Sequence, residues 1–145
     1  MILFNIRTDD SHASLIAAVN HGLDSEPGNP YLVRYGHVCG KRWWMAFDEG
    51  ELPIVVLSGK VTHVGPRLEE WSNEVEDYIA FDANGQSVGY DRNGLWAETP
   101  IRVGDNITIT RTVANLQTLY GQITYEIDIK FEWVTAMSEL DHPGA

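Results

Sequence analysis

The sequence is poor in cysteine, in basic side chains and in long apolar runs. Cys39 is the only cysteine among 145 residues, so the chain cannot form an internal disulfide. This cysteine usage, together with an N-terminal segment MILFNIRTDD that lacks the basic start of a secretory signal, predicts a cytoplasmic location. Apolar runs such as PIVVL, residues 53–57, are far shorter than the roughly 20 residues of a membrane-spanning helix, so we expect no membrane partner.

The shortage of basic residues gives the chain a strong negative charge. Ten basic side chains stand against twenty-one acidic ones, a net charge of −11. The first 66 residues carry seven acidic and five basic side chains, a net −2, whereas residues 67–145 carry fourteen and five, a net −9. A field of this sign repels nucleic acid and anionic lipid and attracts a basic protein surface. The charge therefore predicts a basic protein partner and no nucleic acid, with plain solubility as the alternative explanation.

Signatures of catalysis and of metal binding are also missing. Ser58 and His63 could form a nucleophile and base, but the G-x-S-x-G setting that presents a nucleophilic serine is absent. Five residues could ligate a metal, but their spacing matches no known site: Asp9, Asp10, His12, His37 and Cys39. The sequence therefore predicts no cofactor and no metal.

The N-terminal residues have the pattern of a strand followed by a helix. Apolar residues alternate over residues 2–6, which is typical of a short strand. Residues 12–21 follow helical spacing, with Asp10 or Ser11 as the capping residue and Gly22 as the end of the helix.

From Tyr31 onward the apolar pattern is mostly that of strands. The segments 31–38 and 41–48 are predicted as two strands joined by a turn at Cys39 and Gly40. The segment PRLEEWSN, residues 66–73, is predicted as a short helical turn because proline suits the first position of a helix. Asn84-Gly85 is a strong signal for a tight turn between two strands.

Residues 122–134 show the clearest alternation in the chain. One face carries only apolar side chains: Ile123, Tyr125, Ile127, Ile129, Phe131 and Trp133. Such a pattern indicates a strand with one face on a core and one in water, and strands of this length usually bend around a core. The upstream stretch RVGDNITIT resembles the turn that often enters a strand in small β-barrels, including oligonucleotide-binding ones, which favours β architecture.

These patterns define one fold class. We expect an α+β protein, mainly antiparallel β, with a strongly curved or small barrel-like sheet, one N-terminal helix and a short second helical turn. Residues 1–134 are predicted to form a single globular domain, and residues 135–145 a polar C-terminal tail.

The tandem tryptophans and an acidic stretch supply the candidate binding residues. Neighbours in an extended segment point to opposite faces, so Trp43 is predicted in the core and Trp44 on a wetter face. The stretch EEWSNEVEDY, residues 69–78, combines carboxylates with aromatic residues, which suits a basic partner but also a solvated face. The predicted partner-binding residues are Trp44, Glu69, Glu70, Trp71, Glu74, Glu76 and Asp77.

Three functions fit the sequence. The favoured one is a non-enzymatic binder or inhibitor of a basic partner, in the manner of an immunity protein or antitoxin. The alternative is a small-molecule-binding β-barrel module, with an apolar interior lined by Trp43, Tyr125, Phe131 and Trp133. The third and least favoured is a small hydrolase or isomerase. It would need a pocket in which a carboxylate meets one of four histidines: His12, His21, His37 and His63.

Overall fold

The computed structural model describes residues 2–26, 28–68, 75–91 and 99–136, with the backbone alone at residues 67–68, 75–76 and 91. Strands and helices follow one another in this order: β1 (Ile2–Asn5), α1 (Ala13–Ser25), α2 (Pro30–Tyr35), α3 (Lys41–Asp48), β2 (Ile54–Leu68), β3 (Val75–Ala83), β4 (Gln86–Asp91), β5 (Asn106–Thr118) and β6 (Gly121–Val134). None of the described helices is long and apolar enough to cross a membrane.

The strands form a mainly antiparallel sheet. Among the described residues the sheet has six strands in the order β1-β6-β5-β2-β3-β4. The pairs β1–β6, β2–β3 and β3–β4 are antiparallel. The predicted class, α+β with mainly antiparallel β, is therefore confirmed. The barrel-like closure is wrong, because β1 and β4 lie at the two edges of an open sheet.

The segments 31–38 and 41–48, predicted as strands, provide α2 and α3 instead. Asn29 is the N-cap of α2, its side-chain oxygen accepts from the Tyr31 amide, and Pro30 is the first helical residue. Gly36, with φ of 75°, ends the helix and donates its amide to the Leu32 carbonyl. The predicted hairpin turn at residues 39–40 is thus a connection between two helices.

The spacing of buried residues shows why α2 and α3 are helices. Tyr31 and Tyr35 are buried four residues apart, and Trp43 and Ala46 three residues apart. These intervals are the helical ones, whereas a strand would bury every second residue. The aromatic residues of both segments favour strands in general, and that preference concealed the helical spacing.

Helix α1 is confirmed but differs from the prediction at both ends. The N-cap is His12, so the expected cap at Asp10 or Ser11 is wrong. Gly22 does not end the helix, which continues to Ser25. A Cβ atom at Gly22 would lie 2.6 Å from Cδ2 of Leu116, so close packing explains the glycine.

The β2–β3–β4 meander confirms one predicted turn and corrects a predicted helix. Asn84 and Gly85 have φ of 54° and 83° and connect β3 to β4 as expected. Residues 66–68, predicted to start a helical turn, belong to β2, with Arg67 opposite Glu76 in the register. Residues 69–73 of that predicted turn lie outside the described residues.

The alternation of β6 is confirmed over its second half. Ile127, Ile129, Phe131 and Trp133 are buried. Ile123, predicted on the same face, is 45% exposed. The strand therefore extends past the core near its start.

Contacts between Cα atoms divide the chain into two compact units. Unit 1 comprises Met1–Asn5, Val56–Ile109 and Lys130–Ala145, and unit 2 comprises Ile6–Val55 and Thr110–Ile129. Buried residues of unit 1 include Phe4, Val61, Ile79, Phe81 and Phe131, and those of unit 2 include Val19, Leu23, Trp43, Ala114 and Leu116. The single domain over 1–134 and the tail over 135–145 stay predictions, since residues 137–145 are not described.

Candidate functional site

Trp44 lies on α3 in unit 2, next to the fully buried Trp43. The Trp43 indole donates to the Tyr31 hydroxyl at 3.0 Å, which confirms Trp43 as a core residue. Trp44 is half-buried: the Arg7 guanidinium lies 4.2 Å from its ring centroid, and its ring meets that of Trp43 edge-on at 4.7 Å. Trp44 therefore keeps part of its surface accessible while its orientation is fixed by neighbours.

Exposed apolar and acidic side chains follow Trp44 along α3 and just beyond its C-terminal end. Met45 is 51% exposed, and the side chains of Asp48, Glu49 and Glu51 are exposed as well. Asp48 accepts from the Arg7 guanidinium at 2.5 Å. We call these residues the α3 surface: Trp44, Met45, Asp48, Glu49 and Glu51.

The charges along α3 run against its helix dipole. Lys41 and Arg42 open the helix, and Asp48 and Glu49 close it, with no basic residue in the last turn. A helix is stabilised by the opposite arrangement, because its C-terminal end carries partial negative charge. Arg42 has a separate role, since its guanidinium donates to the carbonyls of Val33 and Arg34 at the end of α2. Asp48 is compensated by its ion pair with Arg7, whereas Glu49 has no ion pair among the described residues and therefore does not stabilise the helix.

Replacing Glu49 with glutamine should stabilise the protein. Glu49 is the C-cap residue of α3, and removing its charge relieves the repulsion from the helix end. We expect Glu49→Gln to raise the free energy of unfolding by about 0.3–1 kcal/mol in low-salt chemical denaturation. Asp82→Asn on β3, an exposed site with the same charge change, is the control and should change it less. A lower stability for Glu49→Gln would contradict the electrostatic account.

The predicted acidic stretch is described only in part. Asp77 lies on β3 opposite Pro66 and is exposed. Glu76 is placed by its backbone alone, opposite Arg67. Four of the predicted partner-binding residues lie outside the described residues: Glu69, Glu70, Trp71 and Glu74. Their role in binding stays a prediction, as does that of Trp44, Glu76 and Asp77.

The tip of the β5–β6 hairpin is an apolar feature that sequence analysis missed. Leu119 and Tyr120 are 85% and 99% exposed. The hydroxyl of Thr118 fixes the turn, accepting from the Tyr120 amide at 3.2 Å and donating to the Gly121 carbonyl at 2.7 Å. The side chains of Leu119 and Tyr120 therefore lie outside the core, at an ordered turn.

None of the four histidines considered for catalysis lines the α2, Asp105 or Cys39 cavity, whose lining residues are given in the next paragraph. His37 Nε2 is 2.6 Å from Asp24 Oδ1, and both side chains are about half exposed. His63 Nε2 is 3.2 Å from the Gly65 carbonyl. The His37–Asp24 pair is thus a histidine–carboxylate contact on an open surface.

Three cavities lined by described residues bear on the predicted sites. The α2 cavity of unit 2, about 310 Å³, is lined by Asn29, Pro30, Tyr31, Arg34, Tyr35, Pro53, Val113, Asn115, Gln117 and Gln122. The Asp105 cavity of unit 1, about 320 Å³, is lined by Pro100, Arg102, Asp105, Trp133 and Thr135. The Cys39 cavity of unit 2, about 480 Å³, includes Asp9, Asp10 and Cys39 in its lining.

The Cys39 cavity contains some of the residues that were considered as metal ligands from the sequence. Asp9, Asp10 and Cys39 line it, whereas His12 and His37 do not. Burial raises the pKa of the Cys39 thiol to about 11, so the sulfur is protonated at neutral pH. A thiol is a weaker nucleophile and metal ligand than a thiolate. Among the residues with described side chains, no three carboxylate, thiol or imidazole groups come close enough to hold a metal ion.

Asp105 is a buried carboxylate with structural partners. It is 3% exposed, and its carboxylate accepts from the Trp133 indole at 2.8 Å and from the amides of Arg102 and Ala136, both at 2.9 Å. Burial by itself would raise the pKa of Asp105, but these hydrogen bonds and the charge of Arg102 together hold it below its usual range. The ionised carboxylate thus fixes the turn before β5 to the end of β6.

The aromatic residues expected to line an apolar interior do not share a described cavity. Trp43, Phe131 and Trp133 are buried, and Tyr125 is half-buried. Of the four, Trp133 alone lines one of the three cavities. The α2 cavity was not predicted from sequence, because its walls come from segments up to about ninety positions apart and only the Asn29-Pro30 cap is a local signal.

No family model matches the chain, and no curated protein matches it significantly.

Proposed function

We propose that this protein is a non-enzymatic interaction module that binds and inhibits a basic protein partner, in the manner of an immunity protein or antitoxin. The observation that carries the proposal is the α3 surface, where the carboxylate of Glu49 lies at the end of a helix that it destabilises. Charges kept at a cost to folding are typical of functional surfaces, and a cationic group on a partner would offset that cost. The single cysteine supports a cytoplasmic location, and the protein would bind its basic partner there.

The composition of the α3 surface suits a protein interface. Trp44 and Met45 supply an aromatic and an apolar group, and both residue types are enriched in interfaces. Glu49 and Glu51, both exposed, follow them in the chain and add negative charge. The net charge of −11 would attract a basic partner over a distance and mainly raise the association rate.

Two other groups of residues extend the proposed contact set. The acidic stretch adds Glu69, Glu70, Trp71, Glu74, Glu76 and Asp77. The hairpin tip adds Leu119 and Tyr120, whose exposure leaves their apolar surface available for burial.

A charge-reversal capture experiment tests the proposal. The immobilised wild-type protein should retain a basic protein from host lysate at low salt, and the retention should weaken about tenfold or more in Glu49→Lys. The matched control Asp82→Lys makes the same charge change at an exposed site on β3 and should retain the partner nearly as well.

The design separates loss of binding from loss of folding. Because Glu49→Lys removes repulsion at the helix end, it should be at least as stable as the wild type, so that lost retention reports on the surface. Equal retention by Glu49→Lys and the wild type, or equal loss in both variants, would exclude the α3 surface as the contact. Recovery of no basic protein at about 50 mM salt, where screening is weak, would contradict the proposed function.

A small-molecule-binding module is the second candidate. The cavities of about 310–480 Å³ favour it, since ligand pockets begin at roughly this size. The length of β6 also predicts a strongly curved sheet. A curved sheet can form the wall of a ligand pocket, so this expectation favours the second candidate. A thermal-shift screen tests it: a true ligand should raise the melting temperature in proportion to the logarithm of its concentration.

A further inference from the structure

The α2 cavity differs in charge from the rest of the protein. The chain has twenty-one carboxylates, yet none of the residues lining this cavity is acidic, and Arg34 is the only charged one among them. Among the residues with described side chains, no carboxylate forms an ion pair with Arg34, whose guanidinium lies 5.2 Å from the Tyr35 ring centroid. In a strongly acidic protein, this cavity is a local site for an electronegative group.

Asn29 contributes a buried donor that the fold leaves without an acceptor. The residue is 2% exposed and lines the cavity. Its Oδ1 accepts from the Tyr31 amide at 3.3 Å, which fixes the orientation of the amide group. Its Nδ2 is buried and meets no acceptor among the described residues. Buried donors in native proteins are nearly always paired, with water where no protein group serves, so we expect an oxygen of water or of a ligand at Asn29 Nδ2.

The remaining walls suit a ligand with an amide and a small apolar group. Val113, Asn115 and Gln117 occupy alternate positions of β5 and so share one face of that strand, and Gln122 follows on β6. Side-chain amides both donate and accept, which matches the two polar atoms of a peptide group. The rings of Tyr31 and Tyr35, 4.9 Å apart, add an apolar wall together with two prolines and Val113.

We propose that the α2 cavity binds a small carboxylate adjacent to an amide, the chemistry shared by an N-acylated amino acid and by the C-terminal residue of a peptide. Arg34 binds the carboxylate, Asn29 Nδ2 donates to a ligand oxygen, and the amides on β5 and β6 bind the ligand's amide. A cavity of about 310 Å³ limits the buried part to roughly one residue. This site is separate from the α3 surface and does not depend on the proposed protein partner.

The test is an NMR titration with N-acetyl-L-valine followed on backbone and side-chain amide signals. At concentrations up to about 20 mM, saturable shifts should appear on the side-chain amides of Asn29, Asn115, Gln117 and Gln122, because ligands of this size bind with millimolar affinity. The uncharged analogue N-acetyl-L-valine N′-methylamide should bind at least about tenfold more weakly, since it cannot pair with Arg34. A capped tripeptide that ends in valine distinguishes the sources: tighter binding identifies a peptide C-terminus, and equal or weaker binding identifies a free acylated amino acid.

Variants assign the two anchoring groups. Arg34→Gln, at an exposed position, should weaken binding of the probe about tenfold. Asn29→Asp keeps an oxygen for the helix cap but replaces the donor by a charged acceptor, and it should abolish binding. Lys41→Gln, an exposed lysine of unit 2 outside the lining, is the matched control and should bind as the wild type does. Absence of saturable shifts in the wild type, or equal affinity in Arg34→Gln and Lys41→Gln, would overturn the proposal.

Discussion

Asp105→Ala is expected to lower the free energy of unfolding by about 3 kcal/mol or more. The substitution leaves the buried Trp133 indole and the part-buried amides of Arg102 and Ala136 without their acceptor, and an unpaired buried donor alone costs about 1–3 kcal/mol. Denaturant unfolding measured at neutral pH checks the magnitude. A change below about 1 kcal/mol would mean that water replaces the carboxylate at little cost.

The same carboxylate predicts a pH dependence. The pKa of Asp105 is lowered in the folded protein. Its stabilising effect is therefore fully present above the pKa that an aspartate has in the unfolded chain, about 3.9. The effect is lost as the pH falls through the lower folded-state pKa. The difference in unfolding free energy between the wild type and Asp105→Asn should therefore be constant at neutral pH and shrink in acid. A difference that stays constant or grows as the pH falls below about 4 would contradict this assignment.

Gly59→Ala is expected to be the most damaging exchange of a glycine for alanine on β2. A Cβ atom at this position would lie 1.4 Å from the Asp82 carbonyl oxygen and 2.5 Å from the carbonyl carbon. Both are backbone atoms of β3, so no side-chain rotation relieves the overlap and the two strands must separate locally. We expect a loss of about 3 kcal/mol, at the upper end for overpacking.

A neighbouring substitution controls for the effect of alanine in a strand. Lys60→Ala changes the next residue of β2, which is exposed, and should cost less than about 1 kcal/mol. Thermal or denaturant unfolding compares the two variants. If Gly59→Ala were no worse than Lys60→Ala, the close approach of β2 and β3 would not be part of the native structure.

Predictions from local signals in the sequence were correct where each signal concerned a single strand or turn. The alternation in β6 correctly predicts the burial of Ile127 to Trp133, because side-chain direction in a strand depends only on position. Asn84-Gly85 correctly predicts a tight turn, because few residues adopt positive φ there.

Secondary structure was predicted wrongly where two local signals favoured different elements. Trp43 was correctly predicted in the core but on the wrong element. The aromatic residues of KRWWMAFD favour a strand, whereas the burial of Trp43 and Ala46, three residues apart, requires a helix. Asn29-Pro30 has the residues of a turn as well as those of a helix N-terminus.

The cavities could not be predicted because their walls form through distant contacts. The α2 cavity joins Asn29 to Gln117 and Gln122, and the bond between Asp105 and Trp133 spans 28 positions. No periodicity links residues so far apart in a single sequence. Of the residues of the α3 surface, only Trp44 was predicted from the sequence. The unfavourable interaction between a carboxylate and the end of the helix dipole can be recognised only once the segment is known to be a helix.

The pairing of β1 with β6 has a consequence for synthesis of the protein. Asn5 lies opposite Lys130, so β1 can pair with β6 only after about 125 further residues have been synthesised. At roughly 5–20 residues per second, β1 waits for several seconds with an unpaired edge. During that interval Phe4, which later meets the Phe131 ring at 5.9 Å, is exposed to other nascent chains and to chaperones. Pairing of β1 therefore waits for the synthesis of β6, and the yield of folded protein should depend on how well this first strand is protected until then.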